Sequence, residues 1–317
     1  GSEMCIRDRT RTREDGKEEV FSACIKPDDT RYLGGNKSSS IAAIKLQGRP
    51  RTGINYDKAN EFCANRGDWI TMIDYLEYCA IQALCYIEYA NFDNQAALNT
   101  NLTSEGFKQG GLGAGVTNLN LERWTAFNDN NPIVQTYWSA EHNIGNGSTN
   151  GDHYELEHYN ADGSNLSTYP AIYRGILNFF GDIWTFIRDV VIINKDKDYN
   201  YVYILKKGVN HADVTKDNVN EKCYLIGYQA NTDNFITEFD FQRGVYFIPN
   251  KVGSNKKADY NWKRGNDGQD TDKAARVLLL GGYAGTGSTA GSGSFHSLWV
   301  RSYSDAHVGF FTTVKLD

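Results

Sequence analysis

Apolar residues recur at helical spacing in one early stretch of the chain, and beyond residue 91 they come in short β-branched and aromatic runs. Asn55 is placed to cap a short helix through Ala59, Phe62 and Cys63, which Gly67 stops. A second helix is expected from Thr71, with Asp74 three residues on completing a capping box. Its apolar positions Leu76, Ala80, Ala83, Leu84 and Ile87 keep the spacing of a core-facing stripe to about Ala90. Upstream, residues 11–39 read as a polar arm, followed by a strand over Ser40–Ile44 that ends at Gly48-Arg49-Pro50.

After residue 91 the runs alternate with loops rich in Gly, Asn, Asp and Ser for more than 200 residues. Val190–Ile193 and Tyr201–Leu205, separated by Asn194–Asn200, predict a hairpin, and Val245–Ile248 and Val277–Leu280 predict further strands. The loops at 99–120, 128–152 and 208–222 are long for a compact domain and are expected to pack, the second carrying Tyr137 and Trp138. The expected class is α+β, with two helices, many short antiparallel strands and long loops.

The 317 residues would fill about two average domains or one large one. A net charge of −6 without a long basic block argues against nucleic acid as a partner, and no apolar run is long enough for a helical membrane span. Gly1-Ser2 resembles a protease scar and Glu3–Arg9 an adapter read-through, so residues 1–10 are set apart from the fold. Six cysteines include no C-x-x-C pair, which removes the usual zinc and redox motifs. Cys63, Cys79 and Cys85 fall in helical patterns and are expected to be small buried hydrophobes, with Cys24 and Cys223 isolated.

Several polar clusters imitate chemistry without its spacing. His142, His153 and His158 lie near Asp152, Glu155 and Glu157, but at irregular intervals in a Gly/Asn-rich stretch, so loop polarity is expected there. Asp196, Asp198 and Asn200 open like a calcium loop, yet Tyr201 stands where Gly is needed and Lys207 where Glu is needed. Asp267, Asp270 and Asp272 form another polar loop, and a structural calcium stays an open question. No phosphate-binding glycine loop and no nucleophile elbow is present. No catalytic residue, cofactor or metal ligand is assigned.

One compositional feature stands apart. Thirty Asn occur in residues 1–266 and none in 267–317, where an even spread would place about five or six. The tail is built instead from Gly, Ser, Ala and Thr with scattered large side chains.

Two motifs carry a family resemblance. Tyr173-Arg174-Gly175-Ile176-Leu177-Asn178-Phe179-Phe180-Gly181-Asp182-Ile183-Trp184-Thr185-Phe186-Ile187 resembles the Gly-Asn-Val-Trp-Glu-Trp signature of the C-type-lectin-like fold, in its formylglycine-generating-enzyme-type branch. Gly181 allows a tight strand entry and Trp184 supplies a core anchor. Arg276-Val277-Leu278-Leu279-Leu280-Gly281-Gly282-Tyr283 resembles the Arg-Val-x-Arg-Gly-Gly-x-Trp segment of that family, and Val308-Gly309-Phe310 its closing strand, with Phe311 where the family carries Arg. The resemblance spans residues 40–317, with a variable region at about 276–317.

The enzymatic branch of that family holds copper with a C-terminal cysteine pair, and this chain has no Cys after Cys223. The other branch comprises variable proteins of diversity-generating retroelements, whose last segment is rewritten at adenines, mostly in Asn codons. The tail resembles such a product, because Tyr, His, Asp, Thr, Gly, Leu, Val and Arg all arise from an Asn codon in this way. Trp299 does not, and needs another template codon.

The resemblance implies no enzyme but a binder that displays Tyr283, Gly285, Thr286, Thr289, His296, Leu298, Trp299, Val300, Arg301, Tyr303, Asp305 and His307 on one face. The ligand would be a protein or glycan on a cell surface, met from a phage tail or a bacterial surface, with oligomeric state left open. The alternatives are an oxidase relative of the formylglycine-generating type and a passive tail-fibre subunit.

Overall fold

In the computed structural model, the described residues are 53–94, most of 172–263 and 275–314, together with short strands at 9–12, 18–21, 156–159 and 165–168. The last four form two hairpins, β1 (Arg9–Thr12) with β2 (Glu18–Phe21) and β4 (Leu156–Tyr159) with β5 (Asn165–Thr168).

Asn55 opens α1 (Tyr56–Ala64) by accepting the Lys58 amide at 2.9 Å on its side chain. This satisfies one of the orphan donors of the first turn. The second helix does not start at Thr71, which belongs to β3 (Ile70–Met72). Asp74 is the cap of α2 (Tyr75–Tyr89), and the capping box is Asp74 with Glu77, each side chain bonding the other's amide at 2.9 and 3.1 Å.

The buried face of α2 also differs from the aliphatic stripe. Tyr75, Tyr78, Cys79, Gln82, Cys85 and Tyr86 face the core, while Leu76, Leu84 and Ile87 are 48%, 57% and 75% exposed. Both sets keep helical spacing, so packing decides between them. Each tyrosine buries a ring and finds an internal acceptor: Tyr75 donates to the Phe247 carbonyl at 2.7 Å, Tyr78 to the Ser292 carbonyl at 2.9 Å and Tyr86 to Asp259 Oδ2 at 2.7 Å. A large ring with a satisfied hydroxyl contributes more inside than a leucine at the same place.

After a short hairpin of β6 (Ile172–Tyr173) and β7 (Ile176–Leu177), the chain enters its main sheet. The strands are β8 (Trp184–Asn194), β9 (Tyr199–Leu205), β10 (Cys223–Ala230), β11 (Asn234–Asp240), β12 (Ile248–Gly253), β13 (Tyr260–Trp262), β14 (Arg276–Leu280), β15 (Phe295–His296) and β16 (Val308–Gly309). Their order is β10-β9-β8-β14-β15-β13-β11-β12, with β16 added parallel to β8. The sheet is mixed, since β13 and β15 are also parallel, and it curls until β10 approaches β12. The last strand, β17 (Thr312–Val314), pairs with β3. The α+β class holds: among the described residues there are two helices of seven residues or more and one curled mixed main sheet.

β14 is buried at every position, as a strand covered on both faces must be. Its alternation splits the core in two. Leu278 and Leu280 pack with the α2 tyrosines, Phe179, Phe180 and Ile187. Val277 and Leu279 pack with Trp184, Phe186, Met72 and the α1 residues Tyr56, Ala59 and Cys63. Cys63, Cys79, Cys85 and Cys223 are buried free thiols, and burial pushes Cys63 and Cys79 up to about 12.

The β8–β9 hairpin is in register from Val190↔Ile204 to Asn194↔Asn200, as the sequence predicts. Asn200 is used inside it, between Asn194 and Gln229, at 2.9 and 3.1 Å. The strand expected over Val245–Ile248 begins only at Ile248: Gly244 turns the chain at φ +88, and Tyr246 stacks on Tyr75 at 5.2 Å instead of pairing. The 208–222 loop holds a 3-10 turn (His211–Asp213) and α3 (Val219–Lys222), which bury His211 and Val219. The Ser40–Ile44 strand, the loops at 99–120 and 128–152, Cys5 and Cys24 lie outside the described residues. So do His142, His153, Asp152, Glu155, Asp196, Asp267, Asp270 and Asp272, while Glu157 and His158 are on β4.

The face assignment of α2 has a direct check. Leu84→Glu should leave unfolding free energy within about 0.5 kcal/mol of the parent. Tyr78→Ala should lower it by about 3–5 kcal/mol, as large buried rings do. Urea denaturation of the two variants measures both.

Candidate functional site

The segment after β14 returns to the sheet and covers one end of it. Gly281 and Gly282 turn the chain at φ +95 and +78, where a side chain would be strained. A Cβ on Gly282 would also lie 2.8 Å from Thr286 Oγ1 and 2.9 Å from Ala290. Thr286 closes the next turn by bonding the Tyr283 carbonyl at 2.6 Å, and Thr289 bonds the Thr286 carbonyl at 2.7 Å. Gly285 and Asp182 lie outside the described residues.

Gly291-Ser292-Gly293-Ser294 is fully buried and forms a plug against α2. Asn94 clasps Ser292 through both its oxygen (3.2 Å to the amide) and its nitrogen (2.7 Å to the hydroxyl). Ser294 Oγ bonds the Thr289 carbonyl at 2.7 Å, and the Gly293 amide donates to Asp259 Oδ1 at 2.9 Å. The Asp259 carboxylate occupies the space that side chains would need here: a Cβ on Gly291 would meet Oδ1 at 2.1 Å, and one on Gly293 would meet Oδ2 at 2.6 Å.

Beyond the plug lies a stack of aromatic rings. Trp262 stacks on His296 (5.8 Å, 20°), His296 on Trp299 (6.1 Å, 12°) and Trp299 on Tyr303 (4.0 Å, 3°). Trp184 meets both Trp262 and His296 edge-on at 5.1 Å. A second pair, Tyr283 on His307 (4.3 Å, 25°), joins the first through the Tyr303 hydroxyl, 3.3 Å from His307 Nε2. Asp305 completes this corner, with its carboxylate 2.9 Å from His307 Nδ1 and accepting from Tyr303 at 3.4 Å. Arg301 Nη1 reaches both oxygens of Asp57 on α1, at 2.6 and 2.7 Å.

Burial sorts the expected positions. Tyr283, Thr286, Thr289, Leu298, Trp299, Val300, Arg301, Tyr303, Asp305 and His307 are all half-buried, while the small neighbours Ser302 and Ser304 are exposed. His296 differs: it is 9% exposed, and burial among the tryptophans pushes its ring down to about 3. It acts as an interior packing residue rather than a surface contact. Burial and the Asp305 charge raise both Tyr283 and Tyr303, which keeps their hydroxyls protonated at neutral pH.

The framing residues sit at the ends and centre of the sheet. Gly181 has φ +79 ahead of β8, Trp184 is 3% exposed, and Gly309 is buried in β16. Arg276 is 7% exposed and donates to the Leu298 carbonyl at 3.3 Å. Sequence reasoning missed three participants. Trp262 continues the ring stack, Asp57 holds Arg301, and Asp259 braces the plug. Each is far from the tail in sequence, and only the Tyr260–Trp262 alternation hints at a strand there.

The main chain of this segment is tied to the scaffold by backbone bonds. The amides of Gly53, Tyr56, Val277 and Trp184 donate to the carbonyls of Asp305, Arg301, Trp299 and His307 at 2.9, 3.1, 3.0 and 2.9 Å. The Ser297 amide donates to Trp262 at 3.1 Å, and Val300 bridges Arg276.

Two expected outcomes test these assignments. Gly293→Ala should cost about 1–3 kcal/mol of stability by displacing the Asp259 carboxylate and Gln82, read by thermal or denaturant unfolding. His211, bonded through Nε2 to the Arg276 carbonyl at 3.3 Å, is pushed down to about 4 by burial. A lowered histidine keeps its contribution above its unfolded pKa of 6.5 and loses it as pH falls toward 4. Between pH 7 and pH 4.5 the parent should therefore lose about 2–3 kcal/mol more than His211→Gln.

No known protein family matches the chain, and no curated protein matches its sequence.

Proposed function

We propose that the chain is a binder of the C-type-lectin-like class, a variable protein of a diversity-generating retroelement. Its binding face is the half-buried cluster of Tyr283, Trp299, Val300, Arg301, Tyr303, Asp305 and His307. The observation that carries this reading is the mode of anchorage. From Ser297 to His307 the segment is tied to the scaffold by its own amides and carbonyls, at Gly53, Tyr56, Trp184, Trp262 and Val277. Such bonds are indifferent to side-chain identity, so the side chains are released to change while the backbone path stays. Fixed frameworks carry paratope loops in the same way.

The residue types fit that role. Half-exposed Trp and Tyr supply contact area at little entropic cost, and Arg, Asp and His add polar selection. The absence of Asn from residues 267–317 supplies the genetic half of the reading. Gly181, Trp184, Arg276, the Gly281-Gly282 turn and the Val308-Gly309 strand supply the fold half. The ligand is a protein or glycan on a cell surface, and the binder is carried by a phage tail or a bacterial surface.

Two measurements test the proposal. Paired substitutions among the seven named positions should leave the melting temperature within about 2–4 °C of the parent, the shift that 1 kcal/mol gives in a domain of a couple of hundred residues. The same substitutions should change which cells, glycans or surface proteins are bound on an array. Sequence reads from the source population should concentrate substitutions at these positions, beside an Asn-rich template repeat and a reverse transcriptase gene. An unchanged binding profile, or substitutions spread evenly along the gene, would sink the reading.

A further inference from the structure

The candidate face holds one polar side chain whose direction is set by the scaffold. Arg301 lies in a tight turn closed by the Tyr303 amide on the Val300 carbonyl at 3.0 Å, and its own carbonyl accepts from Tyr56 at 3.1 Å. Its Nη1 spans both oxygens of Asp57 at 2.6 and 2.7 Å. Nε and Nη2 bond nothing among the described residues, and neither is a buried atom lacking a partner, so that edge is open to solvent. The Nε–Nη2 edge is the rigid planar fork with which a guanidinium grips two oxygens at once.

The column of rings ends two residues away. Trp299 stacks on both His296 and Tyr303, whereas Tyr303 stacks only on Trp299 among the described residues. The Tyr303 hydroxyl is held by Asp305 and His307 at 3.4 and 3.3 Å, which fixes the ring. Half-buried Tyr303 therefore offers a flat, pre-positioned apolar surface beside the open edge of Arg301.

Charge decides what suits this corner. Arg301 already has its counter-ion in Asp57, so a ligand carboxylate would share a compensated cation and be repelled by Asp57. A neutral polyol meets no such cost. Of two neighbouring hydroxyls, one accepts from Nη2 and gives its own proton to Asp57, while the other accepts from Nε, because each hydroxyl is donor and acceptor at once. The C–H face of the same ring covers Tyr303. Resting on the reading of this segment as the binding face, we propose that it recognises a neutral sugar, with vicinal hydroxyls on the open edge of Arg301 and the sugar ring on Tyr303. Asp57, outside the variable region, is the positioning residue: it fixes the guanidinium plane and cancels its charge.

The test is a titration of the full chain, followed by saturation-transfer NMR, with the methyl glycosides of mannose, galactose, glucose and fucose. Glucuronate is the charged control, and deoxy analogues lacking one of the vicinal hydroxyls are the structural control. Saturable binding of a neutral glycoside is expected. It should weaken about tenfold for the deoxy analogue and for Arg301→Lys, as loss of one hydrogen bond to a charged group does. Asp57→Asn, first shown to fold by its thermal melt, should make glucuronate the tighter ligand, an effect that a merely structural role does not produce. No saturable binding of any neutral glycoside, tighter binding of glucuronate by the parent, or indifference to both substitutions overturns the proposal. Array binding that follows proteins or acidic glycans and changes with tail substitutions also overturns it, and leaves the binding face standing. Array binding indifferent to every tail substitution removes the face itself, and this proposal with it.

Discussion

β8 and β14 lie side by side at the centre of the sheet, and the rest of the fold is arranged around that pairing. Covering both faces of β14 needs two different partners, and α2 and α1 supply them with the tyrosine and the Tyr56–Cys63 clusters. β9 and β16 then extend β8, while β15 continues from β14. The burial of apolar area on two faces is the main favourable term holding these elements. It also fixes where the chain can leave the sheet: Gly281 and Gly282 end β14 at left-handed angles and send the next segment across the top.

That segment has two parts with opposite physical character. Residues 291–294 are small because there is no room, with the Asp259 carboxylate, Gln82 and Phe239 occupying the volume a side chain would need. Residues 297–307 are held to the scaffold at their main chain, and their larger side chains are half-buried, with Trp299 and Tyr303 against the edge of the core and Arg301 on Asp57. A tight plug followed by a stretch tied at its main chain fixes the path of the second part largely through backbone bonds. The Arg301–Asp57 contact adds little to this, since a half-exposed ion pair is worth at most about 1 kcal/mol.

Much of the secondary structure was legible because it rests on local signals. Asn55 as a cap, the β8–β9 hairpin around Asn194–Asn200 and the apolar run of β14 are each written within a few residues. The start of α2 was misplaced by three residues, because Thr71 and Asp74 are both caps by type and only the pairing of β3 with β17 separates them. Its buried face was misread because tyrosine counts as polar in a hydropathy pattern, whereas here Phe247, Ser292 and Asp259 receive the hydroxyls. For the candidate face, composition marks the tail as a segment, and the individual positions come only from the family resemblance. Their partners Trp262 and Asp57 were not legible, since contacts across such sequence distances leave no periodic trace.

His296 sets a limit on how freely the tail can change. Its ring is wedged between the buried Trp184 and the half-buried Trp262 and Trp299, so a substitution there is felt by both layers. A Gly or Thr at 296 would leave a void beside two tryptophans, and a charged residue would arrive without a partner. Any library drawn at these positions would thus be thinned twice, first by folding at 296 and only afterwards by ligand at 299–307. Its usable diversity would be smaller than the count of varied codons suggests, and the survivors would be biased toward flat, neutral rings at that one place.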